Sequence, residues 1–212
     1  MQKILLLTYF EPFGGESINP SGTVADILPG YIGGIKIIKL LLPVHFMKAK
    51  EELETAMDKY KPGAVLSLGQ AGGRAALSVE KTALNIAEGA TYDGEAFSGE
   101  PLDAAGADAY FSTFPVKAVS KAVNDAGVPC VVSYFAGTYV CNSVLYAALN
   151  KARDTCTKCG FIHLPYLLSQ GVFKNVPTMT AESMAKGVEA AIIAVFSDMS
   201  DSEDMPADEK LH

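Results

Sequence analysis

The sequence predicts a single three-layer α/β/α domain with a mostly parallel central sheet. Short apolar, β-branched runs alternate along the chain with segments of helical periodicity. One of them, "GAVLSLG", is apolar without a break, the pattern of a strand covered on both faces. No internal repeat or linker interrupts the alternation, and 212 residues are enough for one domain with a sizeable core. The domain is expected over residues 1–196, with a polar, acidic tail over 197–212, "SDMSDSEDMPADEKLH", expected to be disordered.

The elements follow in order. "KILLLTY" reads as a first strand, followed by a Gly/Pro-rich loop and a short helix around Ser21 to Leu28. "GIKIIKLLLPV" is a second strand. From Phe46, the residues Phe46, Met47, Ala49, Leu53, Ala56 and Met57 recur at three- and four-residue steps, which makes an amphipathic helix. "GAVLSLG" is a third strand. The stretch from Gln70 to Pro101 carries glycines, polar residues and some β-like alternation, and reads as a long functional loop region. A helix around Pro115 to Ala126 leads to the apolar run "GVPCVVSYF", a buried strand. Val144, Leu145, Ala147, Ala148 and Leu149 then define a helix beginning near Cys141. "GFIHLPY" is a short strand, and "TAES" opens the last helix, Thr180 to Phe196, with Glu182 in its first turn.

Bulk properties exclude several functions. The net charge of −7 leaves no basic surplus to neutralise phosphates, so nucleic acid is not expected as a partner. No apolar stretch approaches the ~18–20 residues of a membrane helix, and no membrane partner is expected. "MQKILLLTYFEPFGG" lacks a basic start and a small-residue cleavage site, so a cytoplasmic location is expected. Of the cysteines at 130, 141, 156 and 159, Cys156 and Cys159 form a CxxC. A zinc site needs about four ligands, and no second CxxC or close His pair exists, so these two read as ordinary thiols.

Three histidines are present, His45, His163 and the terminal His212. His45 follows a strand end and reads as packing or a pocket wall. His163 lies between an apolar strand and a proline, at the edge where open α/β sheets bind ligands. Cys141 sits in the first turn of its helix, where free N–H groups and the helix dipole favour thiolate and could hold an oxyanion. An imidazole near it could carry the proton, and Glu80 in "ALSVEK" is the best carboxylate to orient that imidazole. Spacing alone leans the other way, to Cys141 as a small core thiol, His163 as a satisfied core histidine and Glu80 as surface. No G-x-S-x-G, P-loop or H-E-x-x-H motif competes.

Taken together, "FEPFGGESINPS", "LSLGQAGGRAALSVEK", "AGTYVCN" and "GFIHLPYL" resemble the pyroglutamyl peptidase I (pyrrolidone-carboxylate peptidase) family of cysteine peptidases. They run in order from residue 10 to about residue 170. The resemblance implies a Glu80–Cys141–His163 triad that removes an N-terminal pyroglutamyl residue from peptides through an acyl-enzyme. It places Phe10, Phe13, Tyr139 and Val140 around the lactam ring, with Asn19 and Gln70 as polar substrate-side positions. Flat aromatic walls with a few hydrogen-bond partners suit such a ring. It also implies a homo-oligomer (dimer or tetramer) and no metal or cofactor. Four positions depart from the family pattern: Tyr9 for a glycine, Gly22 for a tryptophan, Ser143 for a histidine, and Ala90 for an arginine of the oxyanion site. Losing such a donor costs about 10²–10³ in rate if nothing replaces it. The alternative readings are a near-inactive relative that binds a lactam-like molecule, or an enzyme for a different cyclic amide.

Overall fold

Apolar side chains of the first strand divide between two cores. In β1 (Ile4–Phe10), Leu5 and Leu7 enter one, while Leu6 and Phe10 enter the other. The computed structural model describes residues 3–91, 94–172 and 174–197. The expected acidic tail, apart from Ser197, lies outside the described residues, as does His212.

After β1 come α1 (Pro20–Ile27), β2 (Tyr31–Ile32), β3 (Ile35–Leu42) and α2 (Phe46–Tyr60). Asn19 caps α1 by accepting from Ser21 N–H, and Pro20 occupies the first helical position, where its missing donor costs nothing. β4 (Ala64–Gln70) follows, then β5 (Leu77–Glu80), β6 (Thr82–Leu84), β7 (Ala87–Ala90), β8 (Ala96–Glu100) and β9 (Ala109–Phe111). The second half holds α3 (Val116–Asp125), β10 (Cys130–Ser133), α4 (Val140–Ala152), β11 (Lys158–Leu164), β12 (Tyr166–Leu167), the short α5 (Leu168–Gly171), β13 (Thr178–Met179) and α6 (Ala181–Phe196).

The main sheet has the order β10-β5-β11-β4-β1-β3-β2. β11, β4, β1 and β3 run parallel, as the alternation of strands with helices predicts. β5 and β10 are parallel to each other, but β5 meets β11 antiparallel; β2 turns back against β3. Helices α1, α3 and α6 cover one face, packing on Leu66, Leu68, Val79 and Ile162. Helices α2 and α4 cover the other, packing on Leu6, Val65 and Phe161. The architecture is the expected α/β/α sandwich.

Two expectations need correction. The stretch from Gln70 to Pro101 is not mainly loop. It supplies β5 to the main sheet, and its remaining strands pair as β6 with β9 and β7 with β8. "LSVE" alternates like a half-exposed strand, yet all four residues are buried, because the polar Ser78 and Glu80 face the site rather than water. The run "GVPCVVSYF" is a strand only over Cys130–Ser133; Tyr134 and Phe135 are exposed beyond its end. Among the described residues, no helix is long and apolar enough to cross a membrane.

Candidate active site

Register brings three strands and one helix start to a common point. Glu80 ends β5, His163 is next to last in β11, and the Cα of His163 pairs with that of Gly69 in β4. Gly69 also lies beneath the cysteine: a Cβ built on it would stand 2.9 Å from Cys141 Sγ and 2.6 Å from the Phe161 ring. Cys141 and His163 therefore both border Gly69, on the face that α4 covers.

His163 Nδ1 lies 2.7 Å from Glu80 Oε1, with both side chains almost wholly buried. Arg74 Nη1 donates to the same oxygen at 2.7 Å. Burial opposes ionisation of Glu80, but the hydrogen bond and charge of His163, with Ser133 and Arg74 adding to them, hold its carboxyl below the usual value. An ionised carboxylate can only accept, so Nδ1 carries the proton and Nε2 is the free nitrogen. For His163 itself, burial outweighs the pull of Glu80, and Arg74 adds to the downward shift. Burial, followed by the charge of Glu80, pushes the Cys141 thiol up to about 12. These shifts favour a neutral thiol at Cys141, a neutral imidazole at His163 and an ionised Glu80.

Tyr139 is the N-cap of α4 and makes no side-chain capping bond. The turn is instead fastened from the side by Asn142, which is fully buried. Its Oδ1 accepts from Leu84 N–H at 2.8 Å, and its Nδ2 donates to the carbonyls of Leu84 and Ile86 at 2.9 and 3.1 Å. Tyr139 Oη donates to the Ala90 carbonyl at 2.9 Å, and its ring lies so close to Gly89 that a Cβ there would be 2.8 Å away. The β7–β8 hairpin therefore sets the turn that presents Cys141.

A cleft of about 590 Å³ opens beside this turn, lined by Pro12, Phe13, Gly15, Glu16, Ala90 and Tyr139 among others. Phe13 and Tyr139 share one wall of this cleft, ring centroids 6.5 Å apart. Phe10 and Val140 are buried in the second core, with Phe10 6.4 Å from the Phe161 ring. Asn19 is also buried, and its Nδ2 ties the loop at the Glu11 carbonyl. Gln70 ends β4 and accepts from Gln170 Nε2 at 2.8 Å; the same amide reaches Glu16 and Ile18. A smaller cavity of about 60 Å³, between α2, α4 and β8, contains none of Glu80, Cys141 or His163.

Other expected residues fall outside the site. His45 caps α2 and pairs with Glu95 of the loop before β8 at 3.0 Å. Cys159 is buried, its thiol donating to the Ala148 carbonyl at 3.5 Å, while Cys156 is exposed. The departures at Tyr9 and Gly22 lie side by side. A Cβ at Gly22 would lie 3.8 Å from the Tyr9 ring, in ordinary contact with it. Gly69, Asn142 and Gln170 were not singled out by sequence reasoning, since their roles rest on contacts distant in the chain.

A pH window follows. In the unfolded chain histidine takes a proton near its ordinary value of 6.5, while the lowered folded value delays this, so His163 withdraws stability as pH falls below 6.5. Glu80 adds a second loss below its ordinary 4.5. The thiols of Cys141 and Cys159, both raised to about 12, contribute stability that drains as pH rises above their ordinary 9.0. Denaturation midpoints should be highest between pH 6.5 and 9.0 and fall on both sides; a midpoint still rising below pH 6 would contradict this assignment.

A thiol, an imidazole and a buried carboxylate around one open helix start define the chemistry of a cysteine hydrolase. The chain belongs to the pyroglutamyl peptidase family, whose model matches residues 2–198. It is 44% identical to the pyrrolidone-carboxylate peptidase of Thermococcus kodakarensis over 199 residues, 92% of this chain and 97% of that one. The enzyme of the same name from Lactobacillus johnsonii is 43% identical over 196 residues, covering 90% and 91%. Among solved structures, pyrrolidone carboxyl peptidase from Thermococcus litoralis superposes with a TM-score of 0.90 at 34% identity, covering 96% of this chain and 99% of that one. These relatives favour hydrolysis over the binding-only alternative.

Proposed function

We propose that this protein removes an N-terminal pyroglutamyl residue from peptides, with Cys141 as nucleophile, His163 as proton carrier and Glu80 as the group that orients it. The observation that carries this reading is the buried 2.7 Å contact between His163 Nδ1 and Glu80 Oε1. It leaves Nε2 free on the side of the sheet that α4 and Cys141 cover. His163 Nε2 takes the thiol proton as sulfur bonds to the pyroglutamyl carbonyl carbon. The oxyanion is received by N–H groups of the first turn of α4, which carry the task without an arginine at Ala90. Collapse breaks the C–N bond, and the imidazolium returns its proton to the departing amine. Water, deprotonated by His163, then cleaves the thioester and restores the thiol.

Phe13 and Tyr139 are the proposed walls for the lactam ring. Phe10 and Val140 back them from the core, Asn19 holds the loop that carries Phe13, and Gln70 supplies a polar end. A homo-oligomer in the cytoplasm remains part of the proposal. Tyr134 and Phe135, adjacent beyond the end of β10 and each more than half exposed, offer apolar surface for self-association.

Purified protein should release the fluorophore from a pyroglutamyl-aminocoumarin, and Cys141→Ala should release none while keeping its fold. Signal unchanged by that substitution would remove Cys141 from the mechanism.

A further inference from the structure

Glu80 is held from two sides, and the family triad accounts for only one of them. Its Oε1 receives both His163 Nδ1 and Arg74 Nη1 at 2.7 Å, while Oε2 is buried with no hydrogen-bond partner among the described residues. The carboxylate therefore does not chelate the guanidinium in the usual paired fashion. One oxygen is shared between the imidazole and the arginine. Glu80 is fully buried, whereas the Arg74 side chain is about one-third exposed, 32%. The arginine thus reaches in from the rim to an interior anion. The loop that carries it is shaped for this: Gly73 has φ +89°, and a Cβ at Gly72 would lie 2.2 Å from the Tyr166 ring. Arg74 N–H closes the turn onto the Ala71 carbonyl at 3.4 Å.

We propose that Arg74 is a positioning residue for the hydrolysis, acting through Glu80: it fixes which carboxylate oxygen meets His163 and supplies the positive charge that balances the buried anion. The proposal rests on the triad reading given above. It also answers what the "AGGR" arginine does, since a guanidinium committed to Glu80 is not an oxyanion donor in place of the one absent at Ala90.

The charged and titratable groups around His163 are Glu80 of β5, Arg74 of the loop before it and Cys141 of α4. Arg74 disfavours a proton on His163 and favours thiolate at Cys141, so it acts on both ends of the proton transfer. Removing the charge should raise the pH at which His163 protonates and make the thiol harder to ionise. A purely structural residue would do neither.

The test compares Arg74→Met and Arg74→Lys with wild type by kcat, KM and pH profile, and follows the imidazole C2 proton of His163 by NMR titration in the free protein. Arg74→Met should move the acid limb of kcat/KM and the His163 midpoint upward by about one pH unit. It should lower kcat by about tenfold to a hundredfold with KM little changed. Arg74→Lys should keep both midpoints near wild type, and methylguanidine should restore part of the kcat lost in Arg74→Ala. Midpoints unmoved in Arg74→Met would overturn the proposal, as would a rise in KM alone, which would make Arg74 a substrate contact. Absence of turnover in wild type would count against the functional reading instead, and the NMR titration would still decide whether Arg74 acts on His163.

Discussion

His163→Asn lowers kcat by about 10⁴–10⁶ while substrate still binds, because the members of a nucleophile–base unit fail together. The form of the residual activity is as informative as its size. Burial and then the charge of Glu80 push the Cys141 thiol up to about 12. Without an imidazole to accept its proton, the variant depends on the rare thiolate. Its rate should climb about tenfold per pH unit through the alkaline range, as any group titrating far above the working pH does. Wild type, with its base in place and His163 protonating only below the ordinary 6.5, should instead be flat from neutral pH to about 9. Steady-state kinetics on both proteins from pH 5 to pH 10 checks this. A His163→Asn profile parallel to wild type would mean that the standing species is a thiolate and that the electrostatics here are wrongly assigned.

Gly69→Ala should cost both stability and rate. Glycine at this position is required by close approach, not by backbone conformation. The added methyl would lie 2.6 Å from Phe161 and 2.9 Å from Cys141 Sγ, both inside contact distance. Overpacking of this kind costs about 1–3 kcal/mol. Phe161 is enclosed by the second core and has little room to yield, so the thiol gives way. A displacement of about 1 Å at a reacting atom can cost a hundredfold in kcat. Denaturant unfolding and kcat measured together would separate the two effects. An alanine variant with wild-type kcat would mean that Cys141 has room to move without consequence.

Elements set by local periodicity were legible in the sequence. The helix of Phe46 to Met57 and the strand "GAVLSLG" each follow a single rule, 3.6-residue spacing or unbroken apolar character. β5 followed neither. It has four residues, and its place between β10 and β11 depends on strands that come much later in the chain. It reverses direction against β11, so the alternation rule for parallel units gave no help. At the site, the motifs singled out Glu80 and His163, and the fold joins them by a hydrogen bond. The supporting residues were silent for a physical reason. Gly69 matters because Phe161 and Cys141 converge above it, and Asn142 because it fastens the segment from Leu84 to Ile86. Neither contact leaves a local signature.

The central claim is that Cys141 carries the pyroglutamyl group during turnover. Acid quenching of protein mixed with a pyroglutamyl thioester, followed by digestion and mass spectrometry, tests it directly. A pyroglutamyl adduct should appear on the peptide containing Cys141, be absent from Cys141→Ala, and accumulate when His163 is replaced, since the thioester leaving group makes acylation easy. Turnover with the adduct on another residue, or sustained turnover by Cys141→Ala, would contradict it.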